Sequence, residues 1–173
     1  MIRMKKLDAN FFRRDVLDVA PELIGKILAR RYENGKVERY RITEIEAYRG
    51  EEDLACHASK GRTTRTEVMY QDGGKIYVYL IYGMYQMLNF VTSVELEPQA
   101  VLIRGIDGFD GPGKLTKHLL IDKTFYGEDL ASSERIWVED DNFPVKFTTG
   151  KRIGIGYAGE WEEKPWRFIL SSQ

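Results

Sequence analysis

Between Ile76 and Thr92 the chain carries two runs of β-branched and aromatic residues, Ile76–Tyr82 and Gln86–Thr92, interrupted at Gly83. Residues of this kind suit a pleated, half-buried surface, and so short a break joins the runs as a hairpin. Alternation puts Tyr77, Tyr79 and Ile81 on one face and Val78, Leu80 and Tyr82 on the other, with Tyr82 at the tip. The tyrosines therefore cannot all be buried together, and at least one ring is left for solvent or a ligand.

Another hairpin lies upstream. Lys26–Tyr32 and Val37–Glu46 flank Glu33-Asn34-Gly35-Lys36, and Asn-Gly supplies the positive-φ pair of a type I′ turn. Its second strand delivers Glu46 at its end, where a scaffold can hold a carboxylate rigidly against a cleft. Ala100–Arg104, Ile136–Glu139, Thr148–Gly154 and Trp166–Leu170 read as further strands. Helices belong to the margins. Asn10 is placed to cap one entering Phe11-Phe12-Arg13-Arg14, Pro21 stands near the start of a second over Glu22–Gly25, and Gly111-Pro112-Gly113 turns into a third from Lys114 to about Leu120.

These elements make an α+β fold: a single domain with a mixed, mainly antiparallel curved β-sheet, flanked by helices, from which a β-hairpin protrudes. A chain of 173 residues, 43% hydrophobic and 12% aromatic, suffices for one substantial core, and no repeat or proline-rich linker divides residues 1–173. No signal-peptide layout opens the chain, and no apolar run approaches the roughly 18 residues of a bilayer span, so a cytoplasmic protein with no membrane attachment is expected. Cys56 is the only cysteine, which rules out an internal disulfide and disfavours redox chemistry.

Two glycine patterns imitate nucleotide-binding motifs. Gly154-Ile155-Gly156-Tyr157-Ala158-Gly159 has the letters of the dinucleotide fingerprint, but only 14 residues follow it, too few for the βαβ unit it would open. Gly108 to Lys114 has the spacing of a P-loop, but Leu115 stands where a hydroxyl would hold magnesium. With His57, His118 and Cys56 as the only imidazole or thiol groups, no metal is expected, and the zinc-deaminase pattern is missing. His118 reads as a helix-surface residue without a role.

Chemistry concentrates where Glu46-Ala47-Tyr48 is followed by His57 and then by the aromatic hairpin. One acid among stacking rings can hold a flat, electron-rich ligand while the carboxylate activates water beside it, a combination suited to cutting a nucleobase from its sugar. Taken singly, Glu46 reads as a strand-end ion-pair partner and Tyr79 as a packed aromatic. The net charge of -1 argues mildly against a nucleic-acid partner, since phosphate binding leaves a basic footprint. Lys60, Arg62 and Arg65 nevertheless cluster in the hydroxyl-rich segment Ser59 to Thr66, and acids elsewhere can balance a local cationic face.

The string Glu44-Ile45-Glu46-Ala47-Tyr48-Arg49-Gly50, with Asp53, Ala55, His57, Arg62, Thr63, Arg65 and Met69, closely resembles the alkyladenine (3-methyladenine) DNA glycosylase family. Tyr77 to Met84, Asn89, Val101 to Arg104, Gly111 to Leu115, Arg152 to Gly156, Ala158 to Trp161 and Lys164 to Phe168 follow in family order. The resemblance covers nearly the whole chain and rests on many irregular motifs at once.

By that resemblance, Glu46 is the general base that activates water toward C1′ of a flipped nucleotide, and Arg104 helps to orient the water or hold the nucleotide's phosphate. Tyr48, His57 and Tyr79 wall the base pocket, Asn89 excludes guanine-like bases at their exocyclic amino group, and Ile155 and Gly156 border the pocket through backbone atoms. Tyr82, beside Gly83 and Met84, enters the minor groove and fills the space of the extruded nucleotide. Arg62, Arg65 and Lys114 contact DNA, and Met69 contacts the backbone beside the lesion.

The resemblance implies a monofunctional DNA glycosylase of base-excision repair acting on double-stranded DNA that contains damaged purines. Water rather than an amine is the nucleophile, so no cofactor and no strand cleavage are expected. A monomer is expected, nucleoid-associated when bound. A non-catalytic nucleic-acid binding module and a small-nucleoside hydrolase remain the alternatives. Glu51 and Thr64 stand where proline is common in the family and Tyr157 where several members have histidine, and the acidic balance points to weak or strongly salt-sensitive DNA affinity.

Overall fold

Alternation along neighbouring strands decides which side chains meet, as a computed structural model describing residues 4–172 makes clear. In chain order the elements are β1 (Lys5–Lys6), α1 (Ala9–Phe12), α2 (Val16–Leu23), β2 (Ile27–Arg31), β3 (Val37–Arg49), β4 (Ile76–Ile81) and β5 (Tyr85–Thr92). Then come β6 (Gln99–Ile106), β7 (Phe109–Asp110), α3 (Pro112–His118), β8 (Ile136–Asp140), β9 (Phe147–Gly150) and β10 (Arg167–Leu170). The sheet runs β1-β8-β2-β3-β6-β5-β4, with β10 joining β3 to β9 and β7 extending β6. Every one of these pairings is antiparallel.

The 13-residue β3 is the spine. Its first part pairs with β2, and Glu44 to Glu46 pair with β10 while the other edge meets β6. Around Glu44 the register to β6 shifts, a bulge of the kind that re-aims side chains beside functional sites. Gly105 lies against it, where an added Cβ would come within 2.9 Å of Thr43 Oγ1. Beyond the bulge Glu46 opposes Leu102, Leu102 opposes Asn89, and Asn89 opposes Tyr77.

Opposed residues share a face. Glu46, Leu102, Asn89 and Tyr77 thus look to one side with Tyr48, Arg104, Met87 and Tyr79, each two residues along. Their sequence neighbours Ile45, Ala47, Val101, Ile103, Leu88, Phe90, Ile76 and Val78 look to the other side, into the main core with Phe12, Leu115 and Leu119. Val16, Val19, Ala20 and Leu23, at helical spacing, bury one stripe of α2 in that core.

Several local expectations are corrected. Asp8, not Asn10, caps α1, its side chain accepting the Phe11 N–H at 3.3 Å. The second helix begins at Val16, where Asp15 accepts the Leu17 N–H at 2.9 Å, and Pro21 falls inside it rather than near its start. In the last turn proline sacrifices a single intrahelical bond, while the buried stripe still packs. The third helix runs from Pro112 to His118, two residues earlier at each end. Strand β9 stops at Gly150 instead of Gly154, because Arg152 turns into the interior and Gly154 takes a φ of 75°.

The two hairpins exchange turn types. At Asn34-Gly35 only Gly35 has a positive φ, and its N–H bonds the Tyr32 carbonyl while Tyr32 N–H bonds Lys36, giving a type I turn closed by a glycine bulge. At the other tip Tyr82 (φ 54°) and Gly83 (φ 66°) are both left-handed, and Met84 N–H bonds the Ile81 carbonyl, which is type I′ geometry. His118 is no idle surface residue: it stacks on Phe109 at 3.8 Å and hydrogen-bonds the Tyr40 hydroxyl at 2.7 Å, pinning α3 to the sheet. Among the described residues no helix is long and apolar enough to cross a membrane.

Candidate active site

On the face away from the main core, residues from 55–69 and 153–157 fold over β3, β4, β5 and β6 and enclose a cavity of about 350 Å³. Tyr48, His57, Tyr77 and Tyr79 are among its walls, and Tyr82 and Tyr157, 84% and 70% exposed, stand at its mouth. A hollow of about 590 Å³ near α1 and α2 is roomier, but charged groups along it already pair, Lys26 with Asp140 at 3.6 Å and Arg14 with Glu22.

Glu46 is 0% exposed and lies behind the cavity wall. Its Oε1 accepts the Tyr48 hydroxyl at 2.6 Å, and its Oε2 accepts the Ile153 N–H at 2.6 Å. Arg104 reaches across from β6, with Nη1 3.7 Å from Glu46 Oε1 and Nε 3.6 Å from Glu44. Glu44 also takes Arg167 at 3.0 Å, so charges alternate along this edge. Burial raises the Glu46 carboxyl above its ordinary range, against the opposing influence of Arg104, the Tyr48 hydrogen bond and the Ile153 amide. Burial beside Glu46 also holds Tyr48 as a neutral phenol, well above its ordinary value.

His57 Nδ1 and the Tyr77 hydroxyl are hydrogen-bonded at 2.8 Å, and the imidazole meets the Tyr79 ring edge-on at 4.5 Å. Burial, with Arg65 nearby, pushes His57 down to about 4, so the ring is neutral at physiological pH. Burial pushes the Tyr77 hydroxyl and the Cys56 thiol each up to about 12. The ionisable wall of the cavity is therefore uncharged apart from its arginines. Asn89 commits its amide hydrogens to the Tyr77 and Met87 carbonyls at 3.2 and 3.3 Å, which leaves Oδ1 as its free polar group.

Other candidates fall differently from the sequence reading. Met69 is 2% exposed and forms part of the cavity wall rather than of the outer surface. Arg62 is bonded through two nitrogens to Glu67, at 2.8 and 2.6 Å, and is no free cation. Arg65 lies over the Tyr79 ring at 4.8 Å and borders the cavity. Ile155 lines the cavity with Ile153 and Gly154, whereas Gly156 stands off it, opening a short 3₁₀ helix. Gly83 and exposed Met84 remain at the hairpin tip, and Lys114 is exposed on α3.

Asp53 and Arg152 were read only as parts of a family string, yet they form an ion pair with both side chains 0% exposed, Nη1 to Oδ2 at 2.6 Å and Nη2 to Oδ1 at 2.9 Å. Tyr77 and the Ile153 amide were equally missed as partners of His57 and Glu46. A backbone donor has no signature in the letters, and a pairing across 99 residues has no local signal. Among the described residues no group of three or more His, Cys, Asp or Glu could hold a metal ion.

The profile of the family described as Methylpurine-DNA glycosylase matches residues 10–110 and 107–173. A protein of Natranaerobius thermophilus is 42% identical over 189 residues, covering 95% of each chain, and carries the name "Putative 3-methyladenine DNA glycosylase". Proteins of the same name from Methanocella arvoryzae and Legionella pneumophila (strain Corby) are 43% and 44% identical, covering 95% and 96% of this chain and 92% and 95% of their own.

Proposed function

The chain belongs to the methylpurine-DNA glycosylase family, hydrolases of N-glycosyl bonds, and on that premise we propose that residues 1–173 act as one monofunctional base-excision unit on damaged purines in double-stranded DNA. Its substrates are alkylated or deaminated purines of the 3-methyladenine, 7-methylguanine, hypoxanthine and ethenoadenine type, and its product is an abasic site. The observation that carries this reading is the fully buried Glu46 carboxylate, held by Tyr48, Ile153 and Arg104 behind an aromatic cavity that opens beside an exposed hairpin tip.

Flipping exposes one nucleotide to the cavity at a cost of a few kcal/mol, and the Tyr82 ring, unpacked in the free protein, offsets that cost by wedging into the gap. The purine then lies between Tyr48, His57 and Tyr79, and Arg65 leaves the Tyr79 face for a phosphate. Neutral His57 presents its remaining nitrogen to the purine edge. Asn89 excludes bases at the edge it faces.

Each Glu46 oxygen has one bond from the protein and lone pairs to spare for water. Arg104, whose Nη1 lies 3.7 Å from Glu46 Oε1, is placed to donate to that same water. Raising the carboxyl above its ordinary value makes it a stronger base for the proton it takes, and its charge stabilises the oxocarbenium character that develops as the purine departs. No amine nucleophile and no cofactor enter the scheme. The protein works as a monomer, in the cytoplasm at the nucleoid.

Incubating a duplex bearing one hypoxanthine, ethenoadenine or methylpurine, then cleaving in hot alkali, tests the reading. Release of the base from the duplex supports it. No release from any of these lesions indicates a binding module, and a preference for free nucleosides indicates a nucleoside hydrolase; either outcome overturns it.

A further inference from the structure

Arg152 does more than neutralise Asp53. Its Nη1 also donates to the Ala47 carbonyl at 3.0 Å and its Nη2 to the Trp161 carbonyl at 3.2 Å, and its guanidinium is 4.9 Å from the centre of the Tyr48 ring and 5.0 Å from that of Trp166. Asp53 accepts the backbone N–H groups of Arg49 and Ala55, both at 3.0 Å. The pair therefore ties together three stretches far apart in sequence. One is the end of β3 with Glu46 and Tyr48, another is the 53–57 turn that carries His57, and the third is the loop whose Ile153 N–H reaches Glu46.

Neither member lines the cavity. A buried ion pair is a poor way to gain stability, since apolar residues of similar volume often serve as well, whereas a fork of directed bonds fixes relative placement. We propose that Asp53 and Arg152 are positioning residues for excision: the pair holds the Tyr48 ring and the Ile153 amide in one fixed arrangement against the Glu46 carboxylate. This rests on the reading of Glu46 as the general base.

The groups that act on Glu46 are Arg104 from β6, Tyr48 from its own strand, Tyr79 from β4, Tyr157 at the mouth, and Arg152 with the Ile153 amide from the loop; β10 turns its Arg167 to Glu44 instead. Removing the Arg152 charge and loosening Ile153 withdraws two influences that favour the carboxylate. Glu46 then protonates at higher pH, and the acidic limb of the excision profile moves up.

The test is single-turnover excision of hypoxanthine from a duplex between about pH 5 and 9, with thermal melts run alongside. Asp53→Asn/Arg152→Gln leaves no lone buried charge; Arg152, not Asp53, is the member that acts on Glu46, so with the Ile153 amide loosened as well the acidic limb moves up and the rate at neutral pH falls about tenfold. Arg152→Lys keeps the charge but loses the fork, so its limb moves up less than that of the amide pair while its rate falls more than about threefold. A folded amide pair with the wild-type limb overturns the proposal, as does Arg152→Lys at the wild-type rate. If the amide pair fails to melt cooperatively, the lysine variant decides alone. Glu46→Gln separates the two readings: excision retained there sinks the general base itself, while excision lost there with an unmoved limb in the amide pair sinks only the positioning role.

Discussion

The two faces of the β3–β6–β5–β4 sheet are made by the same strands and obey opposite rules. On the main-core face Ile45, Ile103 and Phe90 are wholly buried among other apolar groups, which is what stability alone selects. One residue along β3 from Ile45, Glu46 is just as inaccessible, and its carboxyl is desolvated against the opposing pull of an arginine, a phenol and a backbone amide. Desolvating such a group costs several kcal/mol, only partly offset by those partners. A period of two lets one sheet keep its cohesion on one side and the carboxylate proposed to react on the other.

That contrast can be broken by substitution. Glu46→Gln lowers single-turnover excision by roughly 10²–10⁴-fold while lesion binding survives; near-normal excision would remove the reactive face from the comparison. Phe90→Ala, on the other face, costs about 3–5 kcal/mol in urea unfolding and leaves lesion affinity unchanged wherever the protein stays folded. A specific loss of affinity there would show that the faces are not separable.

The pH dependence of stability sharpens the same point. His57 falls from about 6.5 in the unfolded chain to about 4 when folded, so between these values the unfolded chain binds more protons. Its contribution is complete above about pH 6.5 and is lost as the pH falls toward 4. Between pH 7 and 5 the wild type should lose about 2 kcal/mol more than His57→Gln, and parallel curves from the two proteins would refute this.

Tyr82→Ala should weaken lesion affinity by about 1–3 kcal/mol without moving the melting temperature, because the residue is 84% exposed in the free protein. Smallest of all, Arg62→Ala should leave stability and DNA affinity nearly unchanged, since the residue is engaged in an exposed ion pair. A steep loss of affinity in a salt titration of that variant would return Arg62 to the DNA surface.

Legibility followed distance along the chain. Both hairpins, the split of Tyr77 and Tyr79 from Val78, and the delivery of Glu46 by a strand were readable because alternation is local. The association of Tyr48, His57 and Tyr79 came from the family resemblance, and the structure places all three on one cavity. Turn letters misled: Asn34-Gly35 sits in a type I turn closed by a glycine bulge, and the type I′ backbone falls at Tyr82-Gly83, a pair without the letters that signal it. The ion pair of Arg62 was not foreseen, although its counter-ion lies only five residues on, nor was the burial of Met69 on a short 3₁₀ turn that leaves no mark in periodicity.

The left-handed Tyr82 adds a last consequence. A non-glycine residue held there gives up roughly 1 kcal/mol of backbone comfort, and its ring stands almost bare in water. Glycine would relieve the first discomfort and a buried position the second, yet the free protein grants neither. Such doubled frustration at the hairpin tip is the mark of a part shaped for company, at ease only once a second surface closes over it.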